Sequence, residues 1–456
     1  MSLVFISPDP SKALGLENLI DDLYVICAFE HQVLKYLREK GVNVLCYSEK
    51  KIDLRNTGRL FEQEEVLEYL KNLKEKKGEV KILVFKSSKR IFKIAEENGF
   101  EVLMSDPDLC RDIENKTKFF DFLKNKNVKI PKYRIDILKN LDYVGLKNEF
   151  GTRFVIQFGR GFGGNSTYFI NSEKDFENVK IKQDEFPVKI MEFIEGITLT
   201  VNCCVSRQDI YVSRPFVQIT GEPLLNKFQG GTCGVSFSAI KNLDPEILES
   251  VETQSRVIGE ILREKGYKGI FGLDFVVETH CNASLPQSRI FIIECNPRMP
   301  ISVPHFCKRQ EALGEKPLIL EHLEAFEGKR TSSFAEATAD KKDKDIKGAT
   351  LILRNVFGQN LKLKKSFKPV WHVYDFKQDK IFETDLGISF EKIPDILNNQ
   401  IAFLPICEEK GFLAHPDIAF CDLHFKEDVL DEKFKLKKEV MRLVKRVEGI
   451  IMNYEL

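Results

Sequence analysis

Short apolar runs alternate with helix-spaced stretches over roughly the first 110 residues. Leu3 to Ile6, Tyr24 to Phe29, Val42 to Tyr47, Ile82 to Phe85 and Val102 to Met104 read as buried strands. Between them, His31 to Lys40 places Val33, Leu34 and Leu37 at helical spacing, and Gln63 to Lys76 does the same with Val66, Leu67, Leu70 and Leu73. That alternation predicts a small α/β layer on a largely parallel sheet. No glycine-rich fingerprint follows its first strand, so the layer is not an evident dinucleotide site.

From Asn115 to about Gly328 the pattern becomes α+β. A helix near Thr117 to Lys126, carrying Phe119, Phe120, Phe122 and Leu123, leads into paired strands. Residues 329–346 are charged and small and bury too little apolar surface to offset their ordering, which predicts a flexible linker or insertion. The tail resumes with strands such as Ala349 to Arg354. It ends in an amphipathic helix whose stripe is Leu430, Phe434, Val440, Leu443, Val444, Val447 and Ile451. The expected divisions are therefore 1–112, 113–328, 329–346 and 347–456, in a multidomain α/β and α+β chain.

Composition narrows the function classes. With 69 Lys plus Arg against 69 Asp plus Glu, no global field recruits nucleic acid or an anionic membrane, and a polyanion must be held locally. The 11 cysteines form no CxxC pair, which argues for reduced thiols and against a disulfide framework or structural zinc. The first ten residues contain an aspartate and two prolines, and no apolar run approaches the ~18 residues of a membrane span. The expectation is a cytoplasmic protein with neither a nucleic-acid nor a membrane partner. Its oligomeric state stays open.

The most informative segment is Gly272-Leu-Asp-Phe-Val-Val-Glu278, a polar loop, then Ile290-Phe-Ile-Ile-Glu-Cys-Asn-Pro-Arg298. Two apolar strands around a polar loop predict an antiparallel hairpin. Pairing symmetric about the loop puts Glu278 opposite Ile290 and Asp274 opposite Glu294. Alternation then places Asn296 and Arg298 beside Glu294, with Leu273, Phe275, Ile293 and Cys295 on the other face. Two carboxylates opposed in so apolar a setting repel each other and lose hydration, unless a cation or proton intervenes. A lone strand carboxylate is usually solvated, but four polar groups in register favour a hard divalent ion held by oxygen ligands at about 2.0 to 2.1 Å.

Arg153 to Ile170 reads as a strand, a turn containing Gly159, Gly161, Gly163 and Gly164, and a second strand. The turn satisfies GxGxxG literally, yet no helix follows, so the dinucleotide reading fails and a loop offering backbone N–H groups to phosphates replaces it. No kinase or P-loop pattern accompanies it. Val188 to Val201 reads as a strand, a break near Glu192-Phe-Ile194-Glu-Gly196 and another strand. Such a break can leave backbone donors and acceptors free for a purine edge. Taken singly, the turn is as well explained as a mobile connection and the break as a bulge.

In order along the chain, Asn115-Lys116, Phe122-Leu123, Val128 to Pro131, the glycine turn, Glu192 to Gly196, Leu273-Asp-Phe-Val276 and Glu294-Cys-Asn-Pro-Arg298 resemble the ATP-grasp superfamily of ATP-dependent carboxylate ligases, including biotin-carboxylase-like members. The resemblance runs from Asn115 to about Phe306. It implies an ATP-grasp fold preceded by a Rossmann-like domain and followed by a small C-terminal α+β domain. It also implies ATP as cofactor with Mg²⁺, or Mn²⁺ in its place. Lys116 would approach the phosphates under the turn formed by Arg160, Gly161, Gly163 and Gly164, Glu192 and the Ile194 backbone would meet adenine, and Asp274, Glu294 and Asn296 would ligate the metal. Arg298 would steady a carboxylate or its phosphorylated intermediate. The implied chemistry is attack of a small carboxylate on the γ-phosphate, giving an acyl phosphate that an amine or similar nucleophile displaces.

Two positions depart from the family pattern. Many members have a lysine before the glycine turn, where this chain has neutral Gln157, and Arg160 is the candidate to compensate. Thr198 stands where an acidic residue often meets ribose. The segment after Arg298 also lacks the glutamate that biotin carboxylases carry there. Gln157 keeps open the alternative of a catalytically weak ATP-binding regulatory or scaffold protein. The stretch Gln218 to Val235 reads as a substrate lid or as an inconsequential surface loop.

Overall fold

A computed structural model describes residues 2–453 apart from 29–32, 48–55, 162–163, 184, 208, 279–289, 328–345, 365–369, 376, 385–399, 406–412, 415 and 418. The opening layer is a five-stranded parallel sheet of β1 (Ser2–Ile6), β2 (Leu23–Cys27), β3 (Asn43–Cys46), β4 (Val80–Val84) and β5 (Glu101–Val102), in the order β3-β2-β1-β4-β5. Helices Val33–Glu39 and Glu64–Lys77 bury the apolar faces expected of them, and β1, β2 and β4 form the adjoining core. The expected parallel α/β layer is present.

A second sheet contains β6 (Tyr133–Ile137), β7 (Phe154–Phe158), β8 (Thr167–Ile170) and β9 (Pro187–Glu192), antiparallel in the order β6-β9-β7-β8. Helices Tyr143–Phe150 and Glu173–Gln183 supply Leu146, Phe150, Phe176 and Val179 to its inner face, where they meet Phe154, Ile156, Val188 and Ile190. By alternation, Val155, Gln157, Lys189 and Met191 occupy the opposite face.

The largest sheet takes β10 (Gly196–Val205), β11 (Ile210–Val212), β12 (Phe216–Thr220), β13 (Thr232–Ser236), β14 (Gly269–Glu278), β15 (Ile290–Asn296) and β16 (Ala349–Arg354). The tail adds β17 (Leu361–Leu363), β18 (His372–Asp375), β19 (Lys380–Glu383), β20 (Gln400–Pro405), β21 (Leu413–Ala414), β22 (Ala419–Phe425) and β23 (Met452–Asn453). The main path runs β15-β14-β10-β12-β13-β16-β22-β20-β18-β19, so strands of the tail extend the central sheet through β13 and β16, while β21, β17 and β23 form a small sheet of their own. The stretch read as a lid is partly regular structure, because β12 and β13 pair antiparallel around a turn at 221–231.

The terminal helix, Lys438–Ile451, is shorter than the stripe implied. Val440, Leu443, Val444, Val447 and Ile451 line its buried face. Leu430 instead lies in a bridge with Leu436, and Phe434 has φ of 57°, which no right-handed helix accommodates. Most of the segment read as a linker falls outside the described residues. Its last residue, Ile346, is buried.

Candidate active site

The carboxylate hairpin forms, with a defect that the symmetric reading omits. Gly272, Leu273 and Asp274 face Asn296, Cys295 and Glu294, after which Phe275 faces Ile292. Ile293 is thus the extra residue of a bulge, and it is Ile292, not Ile293, that joins Leu273, Phe275 and Cys295 in the core. Val277, not Glu278, meets Ile290. The bulge absorbs that one-residue offset before the site, leaving Asp274 opposite Glu294.

Neighbouring β10 supplies Thr200, which faces Asp274 in register and donates its hydroxyl to Oδ1 at 2.7 Å. Asn296 donates Nδ2 to Asp274 Oδ2 at 3.0 Å and accepts from Arg298 Nη2 at 2.7 Å through Oδ1. Burial, then the adjacent Glu294, raises the Asp274 carboxyl above its ordinary range, while Thr200, Arg298 and Lys116 pull the other way. Lys116 donates to Glu294 Oε1 at 2.6 Å, closing the group from a segment far away in sequence.

Lys116 is positioned by both its neighbours and its own backbone. Asn115 follows the helix Pro107–Glu114, and its Oδ1 accepts from the Thr117 amide and hydroxyl, while the Lys116 amide donates to Gly159 O at 3.0 Å. A Cβ at Gly159 would lie 2.7 Å from Asn115 Oδ1, so the start of the glycine turn approaches too closely for any side chain. Gly164, at φ of 86°, packs against the backbone of Gly230 and Gly231, which joins the turn to the one between β12 and β13. Gly161 belongs to the same turn and Gly163 lies outside the described residues.

Arg298 reaches Glu114 Oε1 at 3.3 Å, and Lys86, just past β4, donates to the same carboxylate at 2.6 Å. Burial pushes Glu114 upward, but these two cations hold it below the usual glutamate value. Glu192 ends β9 and accepts from the Lys132 amide at 2.8 Å, and Ile194 lies in the unpaired link between β9 and β10. Gln157 is buried, donates Nε2 to Thr167 Oγ1 at 3.1 Å, and keeps its Oε1 without a partner. Arg160 is exposed and makes no hydrogen bond or ion pair among the described residues.

The structure therefore brings together Lys116, Asp274, Glu294, Asn296 and Arg298. Sequence reasoning overlooked Thr200, Glu114, Lys86 and above all Lys189. The last stands opposite Gln157 with no exposed surface and no hydrogen-bond partner for its ammonium. A lysine inside the apolar run Val-Lys-Ile-Met was the available signal, since strand lysines are ordinarily exposed.

The donors suit a hard divalent cation: two carboxylates and an amide oxygen meet on adjacent strands, and the closeness of the acids keeps one of them protonated more readily than normal. Among the described residues no three His, Cys, Asp or Glu side chains form a metal cluster, so a cation there needs further oxygens from its ligand. Every described cysteine is a free thiol, and no described helix is long and apolar enough to cross a membrane.

Residues 113–302 match the family model of the ATP-grasp domain. The carbamoyl phosphate synthase arginine-specific large chain of Halalkalibacterium halodurans is 22% identical over 258 residues, 54% of this chain. The match spans 22% of that relative's length. In structure the chain resembles the biotin carboxylase domain of Hydrogenobacter thermophilus 2-oxoglutarate carboxylase, solved with MgADP, ADP and bicarbonate. The TM-score is 0.58 at 12% identity, with 93% of this chain and 86% of that one covered. It also resembles N5-carboxyaminoimidazole synthase of Aspergillus clavatus in complex with ADP and 5-aminoimidazole ribonucleotide, at TM-score 0.58 and 13% identity over 97% and 98% of the two chains. Family match, fold and the order of the motifs agree: residues 113–302 are an ATP-grasp domain.

Proposed function

We propose that the protein is a Mg-ATP-dependent ligase that activates a small carboxylate as an acyl phosphate for attack by an amine or similar nucleophile. The observation that carries this reading is the facing pair Asp274 and Glu294, with Asn296 beside them and Lys116 bonded to Glu294. Asp274, Glu294 and Asn296 would hold Mg²⁺, or Mn²⁺ in its place. The metal would neutralise charge on the transferring phosphoryl group.

The protein's own groups do the remaining work. Lys116 carries positive charge to the phosphates, and the amides of the turn around Gly161, Gly163 and Gly164 cover them. Glu192 and the Ile194 backbone receive adenine. Arg298, braced by Glu114 and Asn296, holds a carboxylate in a fixed orientation. An oxygen of that carboxylate attacks the γ-phosphorus, the bond to the β,γ-bridging oxygen breaks, and ADP departs with the electron pair. The nucleophile nitrogen then attacks the acyl carbon, the carbon–oxygen bond to phosphate breaks, and the nitrogen loses a proton. Enclosure by the two antiparallel sheets limits hydrolysis of the intermediate.

The test is to incubate the purified chain with MgATP and pooled small carboxylates and amines. ADP and phosphate appearing only with a particular pair support ligation. Tight MgATP binding without turnover across the pool supports the regulatory alternative.

A further inference from the structure

We propose that Lys189 is a binding residue for the nucleotide polyphosphate, supplying from β9 the positive charge that Gln157 cannot supply from β7. The inference rests on the ATP-binding reading above and extends it to a residue with no motif. Lys189 and Gln157 are register partners, and both lie on the face turned away from the four-stranded sheet's own apolar core. The strand bearing Gln157 runs directly into the glycine turn, so Lys189 lies at the base of that turn.

The surroundings of its ammonium are unusual. Lys189 has 0% exposure, its Nζ has no hydrogen-bond partner, and the group sits 3.7 Å from the centre of the Phe120 ring. An aromatic face offsets only part of the cost of burying an ammonium without a counter-ion. A purely structural position would be filled better by Met or Leu. Burial, then Lys116, lowers the Lys189 pKa to about 7, while Glu294 pulls the other way, which places the residue beside the metal-ligand candidates. Glu294 is already bonded to Lys116. The site thus holds a buried amine without a hydrogen-bond partner on one side and two crowded carboxylates on the other. A polyphosphate with a divalent ion bound to it satisfies both. Arg160, the residue expected to compensate for Gln157, is exposed and outside this group.

The experiment compares wild type, Lys189→Met and the exchange variant Gln157→Lys/Lys189→Gln, measuring MgATP, MgADP and adenosine affinity by titration calorimetry with thermal melts to establish folding. Lys189→Met should weaken MgATP and MgADP by about tenfold or more while adenosine changes by less than about twofold. The exchange variant, which returns a lysine to the same face, should recover most of the loss. Unchanged MgATP affinity in a folded Lys189→Met protein overturns the proposal, as does equal weakening of adenosine and MgATP. If Lys189→Met does not fold, the exchange variant decides. MgATP affinity near wild type supports the inference, and loss of about tenfold in the folded variant overturns it. Failure of wild type itself to bind MgATP would instead remove the nucleotide reading on which this rests.

Discussion

The ammonium of Lys116 lies 2.6 Å from the carboxylate of Glu294, which joins the segment entering the four-stranded sheet to β15, an edge strand of the largest one. The lysine side chain is 5% exposed and the glutamate 23%, so the pair is partly shielded from water and its loss is felt. Lys116→Met should lower unfolding free energy by about 1 to 3 kcal/mol in urea titrations. On the proposed chemistry it should also cut kcat/KM for ATP consumption by about 10- to 100-fold. Wild-type values for both quantities would remove the residue from the site.

Asp274 and Glu294 make a different prediction because their closeness is itself unfavourable. Asp274→Asn with Glu294→Gln removes the repulsion and both anionic metal donors together. The double variant should retain its fold, as read by circular dichroism, yet need roughly tenfold or more Mg²⁺ to reach half-maximal ATP binding. An unaltered Mg²⁺ titration would count against the metal assignment.

Arg298 is held by Asn296 and Glu114, and Glu114 also keeps Lys86. Arg298→Ala therefore leaves Glu114 with a counter-ion and should cost the fold little. On the ligase reading, turnover should fall by about 100-fold or more while MgATP affinity changes by less than about threefold. Parallel loss of binding and turnover would make Arg298 a nucleotide contact instead.

These residues differ in how far they could be read beforehand. Asp274 and Glu294 were legible because period-two alternation and a central polar loop leave few ways to pair two apolar strands. The bulge at Ile293 was not, since an extra strand residue carries no sequence signature and is fixed by packing against the layers on either side. Lys189 escaped notice because its burial depends on Phe120, brought over it from a helix outside the sheet. Leu430 and Phe434 match the spacing of the terminal helix, yet the left-handed turn at Phe434 breaks the phase. Likewise, nothing local to Ala349–Arg354 shows that it pairs with β13.

His322 yields a prediction independent of the nucleotide. Its Nδ1 accepts from the Ile270 amide at 3.0 Å, so the ring proton resides on Nε2 and is donated to Leu103 O at 2.8 Å. The ring thereby ties the helix Leu318–Glu327 to β14 and to the end of the parallel sheet. Burial lowers its pKa from 6.5 to about 4, against a smaller opposing effect of the Leu103 hydrogen bond. Because the folded value lies below the unfolded one, the stabilising contribution is complete above about pH 6.5 and is lost as pH falls towards about 4, to a total of about 3 kcal/mol. His322→Gln should be less stable than wild type at pH 7 by about 1 to 2 kcal/mol, through imperfect replacement of the two hydrogen bonds. Its stability should then decline less steeply between pH 6.5 and 4, so the two stability-versus-pH curves from urea unfolding converge and cross before pH 4. Parallel curves across that range would show that this histidine does not govern the acid limb.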